Sequence, residues 1–284
     1  MKKTISNIFL TIGLLIGLSF LLYPTFSDYW NEHHQTQMIE NYNEEMQNLD
    51  SNKEIILKDA QNYNQKLKTV SSRWNLSEQE LDEYQNILNV GSSGMIGYLE
   101  IEKLNVRIAV YHGTDESVLQ IGAGHLEGTS LPVGGEGCHS VLMGHRGLMS
   151  AKLFTDLDKM QEGDIFTVNV LGETLTYEVY TIHIVEPDDL SYLAIDDSRD
   201  LCTLITCTPY GVNTHRLLVQ GERIRNRTII HVSSEAMVIS PVIVTFVVLF
   251  PVLLLIFIFF MILPNNTKKL VQKEKIKQSL LSGE

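Results

Sequence analysis

Two uncharged apolar stretches, one near each end of the chain, constrain its fold more than any other feature. The longer stretch, residues 237–263, contains 27 residues and no charged side chain. As an α-helix it would be about 40 Å long, more than the roughly 30 Å hydrocarbon core of a bilayer. A buried core helix of that kind would need a much larger protein around it, so we predict a C-terminal transmembrane helix.

The N-terminal apolar stretch, residues 8–23, directly follows a short basic segment and is also free of charge. It fits either the apolar region of a cleavable signal peptide or an uncleaved signal anchor. Residues 24–30 contain no small-x-small cleavage pattern, so we favour the anchor. Residues 1–27 are therefore predicted to form a cytoplasmic tip and an N-terminal signal anchor.

The distribution of charge predicts which side of the membrane each part occupies. The chain has a net charge of −12, yet residues 1–7 carry two Lys and residues 264–284 carry five Lys and two Glu. The residues between these two ends therefore carry a net charge of −17. Because basic flanks stay in the cytoplasm, we expect both termini there, as in a two-pass cell-membrane protein, and the acidic middle outside. The same acidity argues against binding to nucleic acid.

The extracellular part divides into a helical segment and a β domain. Residues 28–94 are largely polar and show apolar stripes at helical spacing, which predicts a helical extension that covers the next domain or spaces it from the membrane. Within it, Ser77 and Glu80 form a capping-box pattern that would open a helix through Leu88. Residues 95–230 alternate polar and apolar side chains between Gly and Pro turns, which predicts a closed or sandwiched β domain.

One of the three cysteines lies in a context that suits chemistry. An odd number of cysteines leaves at least one thiol free, and Cys207 ends an apolar strand just before a Pro-Tyr-Gly turn. A buried structural cysteine is the simple alternative. Arg216 begins the next predicted strand, so pairing of the two strands would bring its guanidinium close to the thiol. A permanent cation there would favour thiolate and could hold an oxyanion.

His145 is the histidine that best fits a proton shuttle for that thiol. It lies between two glycines, directly after an apolar strand, where the backbone can turn and present the imidazole. Cys207, His145 and Arg216 together would form a plausible site for acyl transfer. Cys138, His139 and His145 show no metal-ligand spacing, and no phosphate-binding loop is found, so we predict neither a metal nor a cofactor.

Four segments together resemble the sortases, membrane-anchored cysteine transpeptidases of Gram-positive bacteria. They are residues 97–114, 122–148, 153–164 and 203–224, and the last contains the Thr-Cys pair with an Arg downstream. The resemblance implies a mainly β fold, an eight-stranded sortase β-barrel. It also implies Cys207 as nucleophile, His145 as general acid and base, and Arg216 as stabiliser of the oxyanion or substrate. Thr206 is a further candidate for substrate binding.

The resemblance is greatest to class C sortases, which assemble pili. These typically share the TCTPY segment, an N-terminal helical extension and a second transmembrane helix. Their activity implies a substrate with an LPxTG-like sorting signal, cleaved between Thr and Gly and joined to a lysine of the next pilin subunit. The usual lid, Asp-Pro-aromatic, is replaced by residues 72–75, Ser-Arg-Trp-Asn. Trp74 either plugs the cleft as a lid or packs against the fold.

Two other functions stay open at this point. A sortase could attach surface proteins to the cell wall instead of polymerising pilins, and the two activities would differ in the acceptor amine. A protein of another class, a membrane-tethered β-barrel that binds without catalysis, would not need a reactive thiol. The Cys, His and Arg in reactive contexts argue against this last function.

Overall fold

The structure is a computed structural model that describes residues 2–49, 52–70, 73–91, 93–148 and 151–226, together with Glu274. The chain divides into two compact units, Met1–Thr228 and Ile229–Glu284. All the elements described below belong to the first unit.

The structure leaves the two predicted membrane spans as predictions. The C-terminal span, residues 237–263, lies outside the described residues, as does nearly all of the basic tail that follows it. Over the part of the chain that is described, we found no helix with both the length and the apolar character needed to cross a bilayer.

The C-terminal part of the first helix, α1 (Lys2–Gln47), packs on the β domain. Ile39 and Tyr42 belong to one of the apolar stripes that the sequence shows, and both are fully buried. The Tyr42 hydroxyl accepts a hydrogen bond from the Leu171 N–H at 2.9 Å and donates one to the Ile96 carbonyl at 3.2 Å. The helical extension therefore packs on the barrel as part of its core.

Two shorter helices follow, α2 (Lys53–Leu67) and α3 (Glu78–Asn86). The predicted capping box is confirmed: Ser77 Oγ accepts from the Glu80 N–H at 3.3 Å, and the Glu80 carboxylate accepts from the Ser77 N–H at 2.9 Å. Helix α3 ends two residues earlier than predicted, because Ile87 adopts an extended conformation with a ψ of 138°, and Leu88 follows in a left-handed conformation with a φ of 63°.

Eight strands form a closed barrel within the described residues, as predicted. They are β1 (Met95–Ile101), β2 (Val106–His112), β3 (Ala123–His125), β4 (Cys138–Met143), β5 (Ile165–Val170), β6 (Glu173–Val185), β7 (Asp200–Thr208) and β8 (His215–Ile224). Their order around the barrel is β1-β2-β3-β4-β7-β8-β6-β5, and β5 pairs with β1 to close it. Only the pairs β2–β3 and β4–β7 are parallel among these strands.

The first part of the β domain, residues 95–112, forms the two strands β1 and β2. A short 3-10 helix, Glu102–Leu104, separates β1 from β2. Asn105 closes this turn with a φ of 49°, and its N–H bonds to the Glu102 carbonyl at 3.0 Å. Asparagine tolerates this left-handed conformation, so the chain can reverse there. The adjacent polar residues Glu102 and Lys103 interrupt the polar and apolar alternation in the same turn.

The strands bury side chains on both faces, in two separate clusters. A large cluster contains residues from all eight strands and from the helical extension. A smaller one, which we call the outer cluster, consists of Val141, Val185, Leu193, Ile205 and Leu218. Since successive side chains of a strand point to opposite faces, the outer cluster lies on the face of β4, β7 and β8 opposite the large cluster.

A buried tyrosine connects α3 to two histidines of the barrel. The Tyr84 hydroxyl accepts from the Gly113 N–H at 3.1 Å and lies 2.8 Å from His125 Nδ1. The rings of Tyr84 and His112 meet edge to face at 4.7 Å between centroids. Burial lowers the pKa of His112 to about 4 and that of His125 to about 3. Both imidazoles are therefore neutral in the folded protein near neutral pH.

We expect stability to fall as the pH falls from 7 to 5. Both histidines have folded pKa values below their ordinary value near 6.5, so the unfolded chain binds more protons in this range. Linkage gives a loss on the order of 2 kcal/mol for each histidine at pH 5. Urea unfolding of the full chain in detergent at several pH values measures this loss.

A variant separates the histidines from other acid-sensitive groups. His112→Phe keeps an aromatic edge against Tyr84 but removes one titrating group, so its stability should fall less between pH 7 and pH 5. An equal fall in the variant and the wild type would show that His112 does not contribute.

Candidate active site

Cys207 and Arg216 are direct partners in the antiparallel ladder between β7 and β8. They lie one residue pair from the loop that joins the two strands, and both are half-buried. Side chains that face each other in such a ladder have Cβ atoms about 5 Å apart. Arg216 Nη1 donates to the carbonyls of His215 at 3.2 Å and Asn213 at 3.4 Å, which holds the guanidinium at the loop.

The parallel pairing of β4 with β7 brings His145 beside Cys207. The ladder matches Met143 with Ile205, and it continues past the strand because the Gly144 N–H donates to the Ile205 carbonyl at 3.1 Å. Extending this register by two residues would set His145 opposite Cys207. The imidazole, the thiol and the guanidinium thus belong to the segment directly after β4, to β7 and to β8, at one edge of the barrel.

Cys207 and Arg216 share one face of the sheet. Each lies two residues along its strand from a member of the outer cluster, Ile205 on β7 and Leu218 on β8. Because side chains two residues apart in a strand point to the same face, Cys207 and Arg216 lie on the outer-cluster side, and His145 follows two residues after the end of β4. One bound peptide could contact all three groups there.

A buried arginine, absent from our sequence predictions, fixes the loop that carries His145. The Arg146 side chain is 7% exposed and forms an ion pair with Asp158 at 2.5 Å. Its Nη1 donates to Thr208 Oγ1 at 3.1 Å, and its guanidinium lies 5.9 Å from the centroid of the Tyr210 ring. These contacts tie the segment after β4 to the end of β7, where the thiol lies.

A carboxylate that the sequence predictions also missed contacts the imidazole. His145 Nε2 lies 3.2 Å and 3.3 Å from the two carboxylate oxygens of Glu116, the first residue of helix α4 (Glu116–Leu119). A hydrogen bond from the Gln120 amide and the nearby His145 lower the pKa of Glu116. No spacing rule connects Glu116 with His145, so the contact is visible only in three dimensions.

The other two thiols are unsuited to chemistry at the surface. Cys138 and Cys202 are both free and buried, whereas Cys207 is half-buried. Burial raises the pKa of the Cys138 and Cys202 thiols, which keeps them protonated at neutral pH. Cys207 is therefore the most accessible thiol of the three.

Thr206, the candidate for substrate binding, is buried in this structure. Its hydroxyl donates to the Gly144 carbonyl at 2.7 Å, which adds a second link between β7 and the segment that precedes His145. The structure thus gives Thr206 a contact within the fold, and its role in substrate binding stays a prediction.

Trp74, the candidate lid residue, packs against the outer cluster and is half-buried. The Arg73 guanidinium lies 4.5 Å from the centroid of its ring, and Arg73 Nη2 donates to the Leu193 carbonyl at 2.6 Å. The segment that would form the lid is thus anchored on the face of the sheet that carries Cys207 and Arg216. Its action as a lid stays a prediction.

Among the residues that the structure describes, no group of three or more His, Cys, Asp or Glu side chains is arranged to hold a metal ion.

The proteins that this chain resembles in sequence are sortases. A family model described as "Sortase domain" matches residues 99–224. Sortase D of Bacillus subtilis is 30% identical over 131 residues, which cover 45% of this chain and 63% of that protein. The match thus spans a little under two thirds of the length of this curated relative.

Solved structures match over a longer part of the chain. Sortase C1 from Streptococcus agalactiae is 48% identical, with a TM-score of 0.65, and the match covers 67% of this chain and 100% of that one. Sortase C of Streptococcus pneumoniae is 43% identical, with a TM-score of 0.60 and coverage of 67% and 97%. Sortase C of Clostridium perfringens, solved with the C-terminal cell wall sorting motif, is 41% identical, with a TM-score of 0.60 and coverage of 67% and 100%.

These matches include the strands that carry the thiol, the imidazole and the guanidinium, since the family model extends to the end of β8. Sequence identity above 40% over nearly the full length of solved class C sortases is far beyond a likeness of fold alone. This chain belongs to the sortase family, whose members are cysteine transpeptidases.

Proposed function

We propose that this protein is a membrane-anchored class C sortase that polymerises pilin subunits. It would cleave an LPxTG-like sorting signal between Thr and Gly and transfer the acyl group to a lysine amine of the next subunit. The observation that carries the proposal is the pairing of Cys207 with Arg216 in the ladder between β7 and β8, and it is supported by the parallel pairing of β7 with β4, the strand that leads to His145. The relatives support it, because the Clostridium perfringens enzyme was solved with a sorting motif and the Streptococcus pneumoniae structure bears on pilin substrate specificity.

The first half of the reaction needs a thiolate and a proton donor. Cys207 Sγ attacks the carbonyl carbon of the Thr-Gly bond, which gives a tetrahedral oxyanion. The C–N bond then breaks, and His145 as imidazolium donates a proton to the leaving amine of Gly. The products are a thioester on Cys207 and the released tail of the sorting signal.

Arg216 supplies a positive charge for the two anions that precede cleavage, the Cys207 thiolate and the tetrahedral oxyanion. Its guanidinium, directly across the ladder from the thiol, favours thiolate before the attack. It would then donate hydrogen bonds to the oxyanion of the tetrahedral intermediate. The planar fork of N–H groups also suits it to orient the substrate carbonyl.

The second half of the reaction reverses the proton transfer. The lysine amine attacks the thioester carbonyl, the C–S bond breaks, and His145 accepts the proton that the amine loses. The product is an isopeptide bond and free Cys207. Because the thioester keeps the acyl group activated, the transfer needs neither ATP nor a cofactor. The amine must compete with water, which requires a site that positions it and limits solvent.

The predicted spans at residues 8–23 and 237–263 complete the proposal. With both termini in the cytoplasm, they would hold the barrel at the outer surface of the cell membrane, where secreted pilin subunits emerge. A sortase that anchors proteins to the cell wall would use the same first half-reaction with another amine. The acceptor therefore distinguishes the two functions.

We expect Cys207→Ala to abolish cleavage of the sorting signal and formation of linked pilin, since no other group provides the nucleophile. The full chain in detergent, mixed with purified pilin and in a separate reaction with a cell-wall amine, gives products that mass spectrometry identifies. Cys138→Ala, which removes a buried thiol, is the matched control and should stay active. Ladders of linked pilin from Cys207→Ala would refute the proposal.

We expect Arg216→Lys to lower kcat by about 100-fold or more, because lysine keeps the charge but loses the planar donor fork. Steady-state kinetics with a sorting peptide measure the effect, and urea unfolding shows whether the fold is intact. Arg107→Lys, which changes an exposed arginine on β2, is the control. Turnover of Arg216→Lys equal to that of the wild type would remove Arg216 from the mechanism.

We expect Trp74→Ala to increase the rate at which a small thiol reagent labels Cys207, by several-fold, if the indole shields the cleft as a lid. Trp30→Ala, which changes an exposed tryptophan on α1, serves as the control. Labelling rates that are the same in Trp74→Ala and the wild type would show that Trp74 only packs against the outer cluster.

A further inference from the structure

The carboxylate of Glu116, which is not one of the three predicted catalytic residues, contacts the imidazole of His145. We propose that Glu116 is a positioning residue for the transpeptidation reaction, which holds the ring of His145 and places a negative charge beside it. The inference deepens the proposed function and rests on it. It concerns this one carboxylate, which α4 supplies from the segment between β2 and β3.

The contact between Glu116 and His145 has the geometry of an ion pair, and a further hydrogen bond orients the carboxylate. Both carboxylate oxygens of Glu116 lie within 3.3 Å of His145 Nε2, at 3.2 Å and 3.3 Å. Gln120, one helical turn further along, donates from Nε2 to Glu116 Oε1 at 3.0 Å. The carboxylate is thus bonded from two directions, and it can fix the direction in which the ring points.

This contact divides the tasks of the two ring nitrogens. The Nε2–H of the ring donates to Glu116, so the proton that moves during the reaction is carried by Nδ1. Orientation of a histidine by a carboxylate on its second nitrogen is the general way in which proteins select one tautomer. Loss of Glu116 would leave the ring free to turn and would populate the other tautomer.

The charges around the imidazole explain why a carboxylate is useful there. His145 contacts Glu116 on α4, and its neighbour Arg146 is already paired with Asp158. Cys207 and Arg216 are paired at the adjoining ends of β7 and β8. The cation of Arg216 favours thiolate but disfavours a second cation beside it. Glu116 offsets that repulsion on the side of the ring that it contacts.

The size of the effect is set by the exposure of the pair. The Glu116 side chain is 67% exposed and that of His145 is 26% exposed, so water screens part of the attraction. We therefore expect a moderate effect on rate. A carboxylate close to the site could instead repel the thiolate, and in that case its removal would speed the reaction, so the sign of the change is itself a test.

The experiment compares Glu116→Gln with the wild type as full chains in detergent, with a sorting peptide as substrate. We expect kcat/KM to fall about 3- to 10-fold near pH 7 and the alkaline limb of the pH profile to move to lower pH, because the imidazolium loses its proton more readily without its partner. Glu116→Asp, which keeps the charge on a shorter side chain, should lie between the two.

Asp115→Asn is the matched control for the loss of one negative charge. Asp115 is the neighbouring residue and starts α4 without a side-chain capping bond, so its variant should keep the wild-type pH profile. An unchanged pH profile in Glu116→Gln, or a faster reaction, would overturn the proposal. An equal shift in Asp115→Asn would do the same, because it would show a general effect of charge.

A second measurement needs no peptide and separates this inference from the proposed function. The rate at which iodoacetamide alkylates Cys207, located by peptide mass mapping, reports the thiolate as a function of pH. In Glu116→Gln its midpoint should move to higher pH, because a less stable imidazolium stabilises the thiolate less. If the wild type cleaves no sorting peptide, the proposed function fails, while this shift still supports the ion pair and its absence overturns it.

Discussion

The whole site depends on the position of β7 between a parallel and an antiparallel neighbour. The parallel strand β4 ends at the same edge of the barrel as β7, and the antiparallel strand β8 begins there. The segments that carry His145, Cys207 and Arg216 thereby reach one edge of the barrel, although His145 lies far from the other two in sequence. If β7 shifted by one residue against its neighbours, Cys207 would point to the opposite face of the sheet. The side chains that pack on both faces of β7 prevent this shift and so keep the thiol on the side of the site.

Local features of the site could be predicted from the sequence, and distant ones could not. Cys207 and Arg216 are separated by one short loop, so the alternation of side chains in two strands was enough to predict that they meet. The place of His145 beside Cys207 depends on a parallel pairing across much of the domain. From the sequence, His145 between two glycines was chosen as the proton shuttle for Cys207, and the resemblance to sortases implied the same pair.

The contacts that support the site were beyond such reasoning. Arg146 contacts Asp158 and Thr208, and Glu116 contacts His145. The partners are far apart in sequence, so the spacing of residues along a helix or strand does not predict these contacts. In the same way, the eight-stranded barrel was predicted, but the turn that ends at Asn105 was not. Its signal in the sequence is a single irregularity, the adjacent polar residues Glu102 and Lys103, in a segment that otherwise alternates.

In the proposed reaction a single sulfur carries the acyl group from one amine to another. The most direct test is mass spectrometry of the full chain, quenched with acid after brief exposure to an LPxTG peptide. We expect the acyl portion ending in Thr to be attached to the fragment containing Cys207 and absent from those containing Cys138 and Cys202. Cleavage of the peptide with no adduct at Cys207, or with an adduct elsewhere, would contradict this mechanism.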